Sequence, residues 1–260
     1  MTAITYYSAN IKNEFIKLKR TFAFWLTIIS ALIVPLLFFI VYWAKPDKLI
    51  PAAGENPWGE FMFNQIQNSI PFLAPMFIVL ITSLIIQVEH KSNGIKHLFS
   101  LPIPKWSVYF GKLSIVLISI IATYIYFFVA ILIFGYLLGI INSDLGFLNY
   151  QPEYFKYIKM ISLSFISSLG IVGLQFWMSF RFKNFIVPLG IGMTMIIMGL
   201  IVSRAAEAIY FPYSYPVLFI SLGDKAPLTF GFSSVLFYSL VCFISTAIIG
   251  YFDVKRLNVK

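Results

Sequence analysis

From Thr21 to Trp43 the chain runs without a single charge. A helix rises 1.5 Å per residue, so about twenty apolar residues cross the roughly 30 Å hydrocarbon of a bilayer. Five further stretches meet the same test, at 70–88, 113–141, 158–180, 185–203 and 230–252. Composition agrees with that solvent. Only 11% of the 260 residues are charged and 60% are hydrophobic, whereas a soluble domain carries charge at about a quarter of its positions. The expectation is an all-α fold: a polytopic transmembrane bundle of six helices, with 1–260 forming one transmembrane domain.

The stretches are unequal. The third exceeds what a crossing needs and must tilt or protrude. The fourth and fifth are joined only by Arg181, Phe182, Lys183 and Asn184, which predicts a tight helical hairpin. Pro188, Gly190 and Gly192 weaken the first turns of the fifth, so it is the least secure as a straight rod.

The formal charge of +9 does not point to nucleic acid, because no Lys/Arg run forms a phosphate-tracking stripe. With the amino terminus cytoplasmic, the basic residues divide about two to one in favour of the cytoplasmic side. Both termini are therefore expected there, in the cytoplasmic (inner) membrane. Met1 to Lys12 lacks the pattern of a cleaved signal, which predicts that the first stretch is retained. Residues 5–20 carry Ile11, Phe15 and Leu18 at helical spacing among Lys12, Lys17, Lys19 and Arg20. That pattern suits a helix lying in the membrane interface, among lipid headgroups. Cys242 is the single cysteine, which excludes an intramolecular disulfide.

The segment 89–112 carries the most information. It leaves the membrane through Glu89 and His90, and Ile95, Leu98, Phe99 and Leu101 then share one face of a short helix. Pro102 and Pro104 end that helix, and Trp106, Tyr109, Gly111 and Lys112 lead back into the membrane. A Glu at the end of the second span, a Gly five residues on, Leu-Phe-Ser-Leu-Pro and a Tyr-x-Gly-Lys re-entry together resemble the ABC exporter permeases of the drug and bacteriocin-immunity type. In that family the loop is a coupling helix that docks into a groove of a separate ATPase subunit. The resemblance implies that Glu89, Gly94, Leu98, Leu101 and Pro102 make this contact, with Lys112 at the re-entry. It also implies a cytoplasmic ABC ATPase partner and a second permease copy or a related permease. The aromatic segment 204–228 would hold short helices dipping into the outer leaflet; an ordinary external loop is the alternative.

The chain has no Gly-x-x-x-x-Gly-Lys-Ser/Thr motif, so hydrolysis is expected on the partner and the chain itself is not expected to be an enzyme. Both histidines, His90 and His97, fall in the loop, away from any Ser or acidic cluster that would build a protease or a metal site. No cofactor or metal is expected. An ion-coupled secondary transporter or channel is the rival reading, and the lack of an ionisable group at mid-depth in any span speaks against it. Arg204 and Glu207, three apart near an outer helix end, are candidates for a substrate contact or outer gate, or for a snorkelling pair. Lys156 and Lys159 read as outer headgroup anchors. Ser164, Ser167, Ser168, Gly170 and Gly173 allow close helix approach, either within the chain or at a dimer seam. Tyr124, Tyr126, Phe127 and Phe128 either line an apolar path or face lipid. The dry interior favours a peptide antibiotic, a drug or a lipid as cargo.

Overall fold

The computed structural model describes residues 3–52, 54–91, 104–222, 228–229 and 232–256. Helix α1 is Ala3–Leu18 and α2 is Phe22–Ala44. At the joint, the Thr21 hydroxyl donates to the Leu18 carbonyl at 2.7 Å, closing the end of one helix as the next begins.

Helix α3, Pro57–Asn68, starts with proline at its first position and with the Asn56 side chain accepting the Trp58 N–H at 3.0 Å. It continues through a π-turn, Ser69–Leu73, into α4, Ala74–Lys91. The physical cause of the turn is in the sequence. Pro71 and Pro75 have no N–H, so the ladder widens, and Ala74 donates to Ser69. The second membrane-capable rod is thus Pro57–Val88, and it starts well before residue 70, where hydropathy alone put it.

Helix α5 is Lys105–Ile141, 37 residues, or about 55 Å. It absorbs residues 105–112, which the sequence reading left in the loop. Helix α6 is Tyr154–Arg181 and α7 is Ile186–Val202. Two 3₁₀ turns, Ala206–Tyr210 and Pro212–Ser214, lead into the short α8, Tyr215–Leu222. A two-residue antiparallel ladder pairs Leu228 with Ser233 and Thr229 with Phe232. Helix α9, Ser234–Arg256, ends the described chain and starts four residues later than the sixth stretch.

Among the described residues, five helices are long and apolar enough to cross a membrane. Helix α7 is apolar but spans only 17 residues, or about 25 Å, just short of the hydrocarbon thickness. It is unbroken through Pro188, Gly190 and Gly192.

Packing explains the small residues of the fourth stretch. Gly173 faces Phe243 and Thr246 of α9, and a Cβ there would lie 3.1 Å from the Phe243 backbone. The Ser239 hydroxyl inserts into α6, donating to the Ile166 carbonyl at 2.8 Å and accepting the Gly170 N–H at 3.0 Å. Ser164, Ser167 and Ser168 are fully buried within the chain. These residues therefore serve packing within the chain, of α6 on α9 at Ser167, Gly170 and Gly173 and of α6 on α5 at Ser168. Helix α2 lies along α5, and α4 along α6 and α7.

Candidate functional site

Helix α1, the end of α4, the start of α5, the α6–α7 turn and the last turn of α9 meet at one end of the bundle, here called the basic end. Helix α1 is fastened to α5 by polar side chains. The Tyr7 and Ser114 hydroxyls lie 2.6 Å apart, and Asn10 donates to Ser107 at 2.7 Å. Gly111 leaves room for the approach, since a Cβ there would touch Asn10 at 3.4 Å. Glu14 forms an ion pair with Lys112 and accepts from Lys17 at 2.9 Å. Both partners of the first pair are buried: Lys112 is 2% exposed and Glu14 9%. Ile85 and Val88 of α4 close the same corner. A charge removed from water must be paired to be tolerated, and here the pairing joins two separate elements.

The other helix ends at the basic end are tied as well. His90 Nε2 donates to the Ser179 carbonyl at 3.0 Å, near the carboxyl end of α6, where backbone oxygens lack helical partners. Lys105 donates to the Lys255 carbonyl at 3.3 Å, and Asp253 accepts from Trp177 at 3.3 Å and from Arg181 at 3.4 Å.

A second polar set lies deeper. The Gln175 amide of α6 is fully buried and donates to the Ser83 hydroxyl of α4 at 2.8 Å and to the Pro188 carbonyl of α7 at 2.9 Å. The Ser83 and Ser179 hydroxyls are 3.3 Å apart. From the far side, the Tyr213 hydroxyl points at Gln175 Oε1 from 3.5 Å. Tyr213 gets there because the chain after α7 folds back along it: a Cβ on Gly199 would sit 2.5 Å from the Tyr213 carbonyl. Pro212 and Tyr215 contact Gly170, near the middle of α6. Side chains and one backbone carbonyl thus step from His90 at the basic end to Tyr213 in the folded-back segment.

The predicted site residues fall unevenly. Glu89 lies in α4, whereas Gly94, Leu98, Leu101 and Pro102 lie outside the described residues. Arg204 and Glu207 are both exposed beyond α7 and form no ion pair with each other. Lys112, expected at the re-entry, is one of the most deeply buried side chains. On α1 the inward stripe is Ile11, Glu14 and Leu18, while Phe15 is 40% exposed. Glu14 and Gln175 were both missed. Glu14 had a signal: it is the acidic residue on a helical face otherwise made of Ile11 and Leu18. Gln175 is an amide inside an apolar span and escaped a search for ionisable groups.

Residues 10–199 match the family described as ABC-2 family transporter protein, a stretch that runs from the middle of α1 into the last turn of α7. The chain belongs to that family. No curated protein and no solved structure matches it. An ABC-2 permease is the membrane component of an ABC transporter, and this one is a multi-pass helical protein. In such a permease, the basic-end assembly holds the end of α4 and the start of α5, the two helix ends that flank residues 92–103. The Gln175 set is the polar seam of its interior.

Proposed function

We propose that this ABC-2 permease is the membrane-spanning subunit of an ATP-driven exporter. It works with a separate cytoplasmic ABC ATPase and a second permease, identical or related, to move an amphipathic or hydrophobic compound such as a peptide antibiotic, a drug or a lipid. The basic end is the cytoplasmic end, both termini lie there, and the membrane is the cytoplasmic one. Residues 89–112 receive the ATPase, through Glu89, Gly94, Leu98, Leu101 and Pro102.

The buried Glu14–Lys112 pair is the observation that carries this reading. It makes α1 and the start of α5 one body, so a push on the loop leading into Lys105 moves both together. The Gln175 set then links that movement to α7 and Tyr213. Residues 204–228 dip back into the outer leaflet, supported by the contacts of Pro212 and Tyr215 with Gly170. Arg204 and Glu207 stand at the outer mouth, where a leaving compound would meet them.

The test is co-purification from the native membrane in gentle detergent. A P-loop ATPase is expected in about equal amount, and Leu98→Asp with Leu101→Asp should release it while the permease stays folded. Recovery of the permease alone at good yield, together with transport that persists after ATP depletion, would replace this reading with an ion-coupled carrier.

A further inference from the structure

Two hollows flank one side chain. A cavity of about 50 Å³ lies between α2, the π-turn with α4, and α5, lined by Ser30, Val34, Ser69, Ile78 and Ile81. An apolar groove of about 430 Å³ lies between α5 and α6, lined by Ile121, Ile125, Phe128, Ile161 and Phe165. The Tyr124 ring belongs to both walls. Its hydroxyl is held by Ser168 of α6 at 3.1 Å, and its ring meets Phe165 edge-on at 5.9 Å.

The groove opens on an apolar surface, where Ile121, Ile125 and Ile158 are 41 to 55% exposed. The cavity behind Tyr124 differs in one respect. Ser69 is 7% exposed, lines the cavity, and its hydroxyl has no hydrogen-bond partner. An unsatisfied hydroxyl in an apolar interior is unfavourable, and a ligand atom can relieve that. The π-turn that begins at Ser69 is a distortion found frequently at functional sites.

We propose that Tyr124 is a side gate. Through it a membrane-dissolved amphipathic compound passes from the α5–α6 groove into the cavity between α2, α4 and α5, where its polar atom meets the Ser69 hydroxyl. The proposal rests on the exporter reading for what the compound is, and it names the side from which the cargo arrives. A cavity this small takes one apolar arm and its hydrogen-bonding atom, with the remainder of the molecule left in the groove. The Tyr124–Ser168 bond is the latch. Removing it leaves no orphan on Ser168, which also donates to the Ser164 carbonyl at 3.0 Å.

The test uses the full chain in phosphatidylcholine vesicles and a diazirine-bearing octanol, an apolar chain with one hydroxyl, as photolabel. Adducts are mapped by mass spectrometry. Ile78 and Ile81 are 3% and 1% exposed, so lipid cannot deliver label to them directly. Adducts are expected on the groove residues and on Ile78 and Ile81. The latter should rise about two- to tenfold in Tyr124→Phe and equally in Ser168→Ala, the range one hydrogen bond sets. Ser162→Trp, which fills the groove from an exposed position, should lower them. Adducts confined to the groove in every variant, or adducts on Ile78 indifferent to all three substitutions, would overturn the gate. If a phosphatidylcholine with a diazirine in its acyl chain labels Ile78 as well as the octanol does, the cavity is a bilayer-lipid site and the cargo route is wrong. No ATPase is present in these vesicles, so failure of the exporter reading would show in the co-purification and leave this labelling pattern as it stands.

Discussion

The two ends of the bundle differ in how their outlying helices, α3 at one end and α1 at the other, are fastened. At the end opposite to α1, Trp58 is fully buried, and its indole N–H donates to the Phe147 carbonyl at 2.9 Å and the Tyr150 carbonyl at 3.2 Å. Phe147 and Tyr136 meet its ring at 5.1 and 4.9 Å between centroids. Gly135 is there because a Cβ would run into the indole, 2.6 Å from Cη2. At the basic end, α1 is held to α5 by Glu14 and Lys112 and by small hydroxyl and amide groups. Aromatic packing fixes one geometry and yields only by unfolding. A salt bridge has a strength set by its surroundings, and a docking partner that brings charge or excludes water changes that strength. The rigid fastening is at the end away from the proposed ATPase, and the tunable one is where the ATPase would dock.

Trp58→Ala should give the largest effect, because it removes an interlocked ring and two carbonyl partners together. A loss of about 4 kcal/mol is expected, read as unfolding of the detergent-solubilised permease. ATPase capture per folded molecule should be unchanged. If capture falls in proportion with stability, the two ends are not independent fastenings.

Glu14→Leu should come next. It removes a carboxylate that faces the buried Lys112, a change of about 3 kcal/mol. Replacing both, as Glu14→Leu with Lys112→Met, should restore stability to within about 1 kcal/mol, since a packed apolar pair of similar volume is a fair substitute. ATPase capture should remain in the double variant, but transport per ATP hydrolysed should fall. A double variant that transports normally would show that the pair holds α1 in place and nothing more.

How much of this was legible in the sequence follows from the physics of each element. Charge-free runs announced the spans, because a bilayer imposes a length on a helix. Hydropathy could not place helix starts. Residues 57–68 include Glu60, Gln65 and two asparagines and read as loop, yet Asn56 and Pro57 begin a helix there. Residues 105–112 are polar enough to resemble a loop and are helical because α1 packs on them. The loop motif drew attention to Lys112, but its partner is 98 residues away and no local pattern joins them. The segment after α7 was legible as aromatic and too broken to span, but whether it dips back or forms an ordinary external loop was not. Its reach to Gln175 depends on Gly199, whose role appears only when Tyr213 lies across it.

Gln175→Leu tests the interior seam between the two ends. It removes the donor to Ser83 and Pro188 and the acceptor facing Tyr213. About 1–2 kcal/mol of stability is expected to go, because the net worth of each bond is modest. Combined with Ser83→Ala, the loss should be smaller than the two separate losses added together, since the pair shares one bond. Strict additivity, measured in the same unfolding assay, would mean that Gln175 and Ser83 do not act as a unit.

The smallest effect belongs to Tyr213→Phe. At 3.5 Å the contact between its hydroxyl and Gln175 Oε1 is at the limit of a hydrogen bond, so its removal should alter stability by less than about 0.5 kcal/mol. The ring remains, and it is the Tyr213 backbone, untouched by the substitution, that lies against Gly199. If the folded-back segment follows movements of the basic end through Gln175, this substitution separates stability from function. Unfolding would be unchanged while the rate of transport falls, and ATP hydrolysis would become less dependent on the cargo. Gly199→Ala is the counterpart that keeps the hydroxyl and displaces the segment instead, because the added Cβ meets the Tyr213 carbonyl. Should Tyr213→Phe leave transport intact while Gly199→Ala abolishes it, the segment matters for its position alone, and the polar seam ends at Gln175.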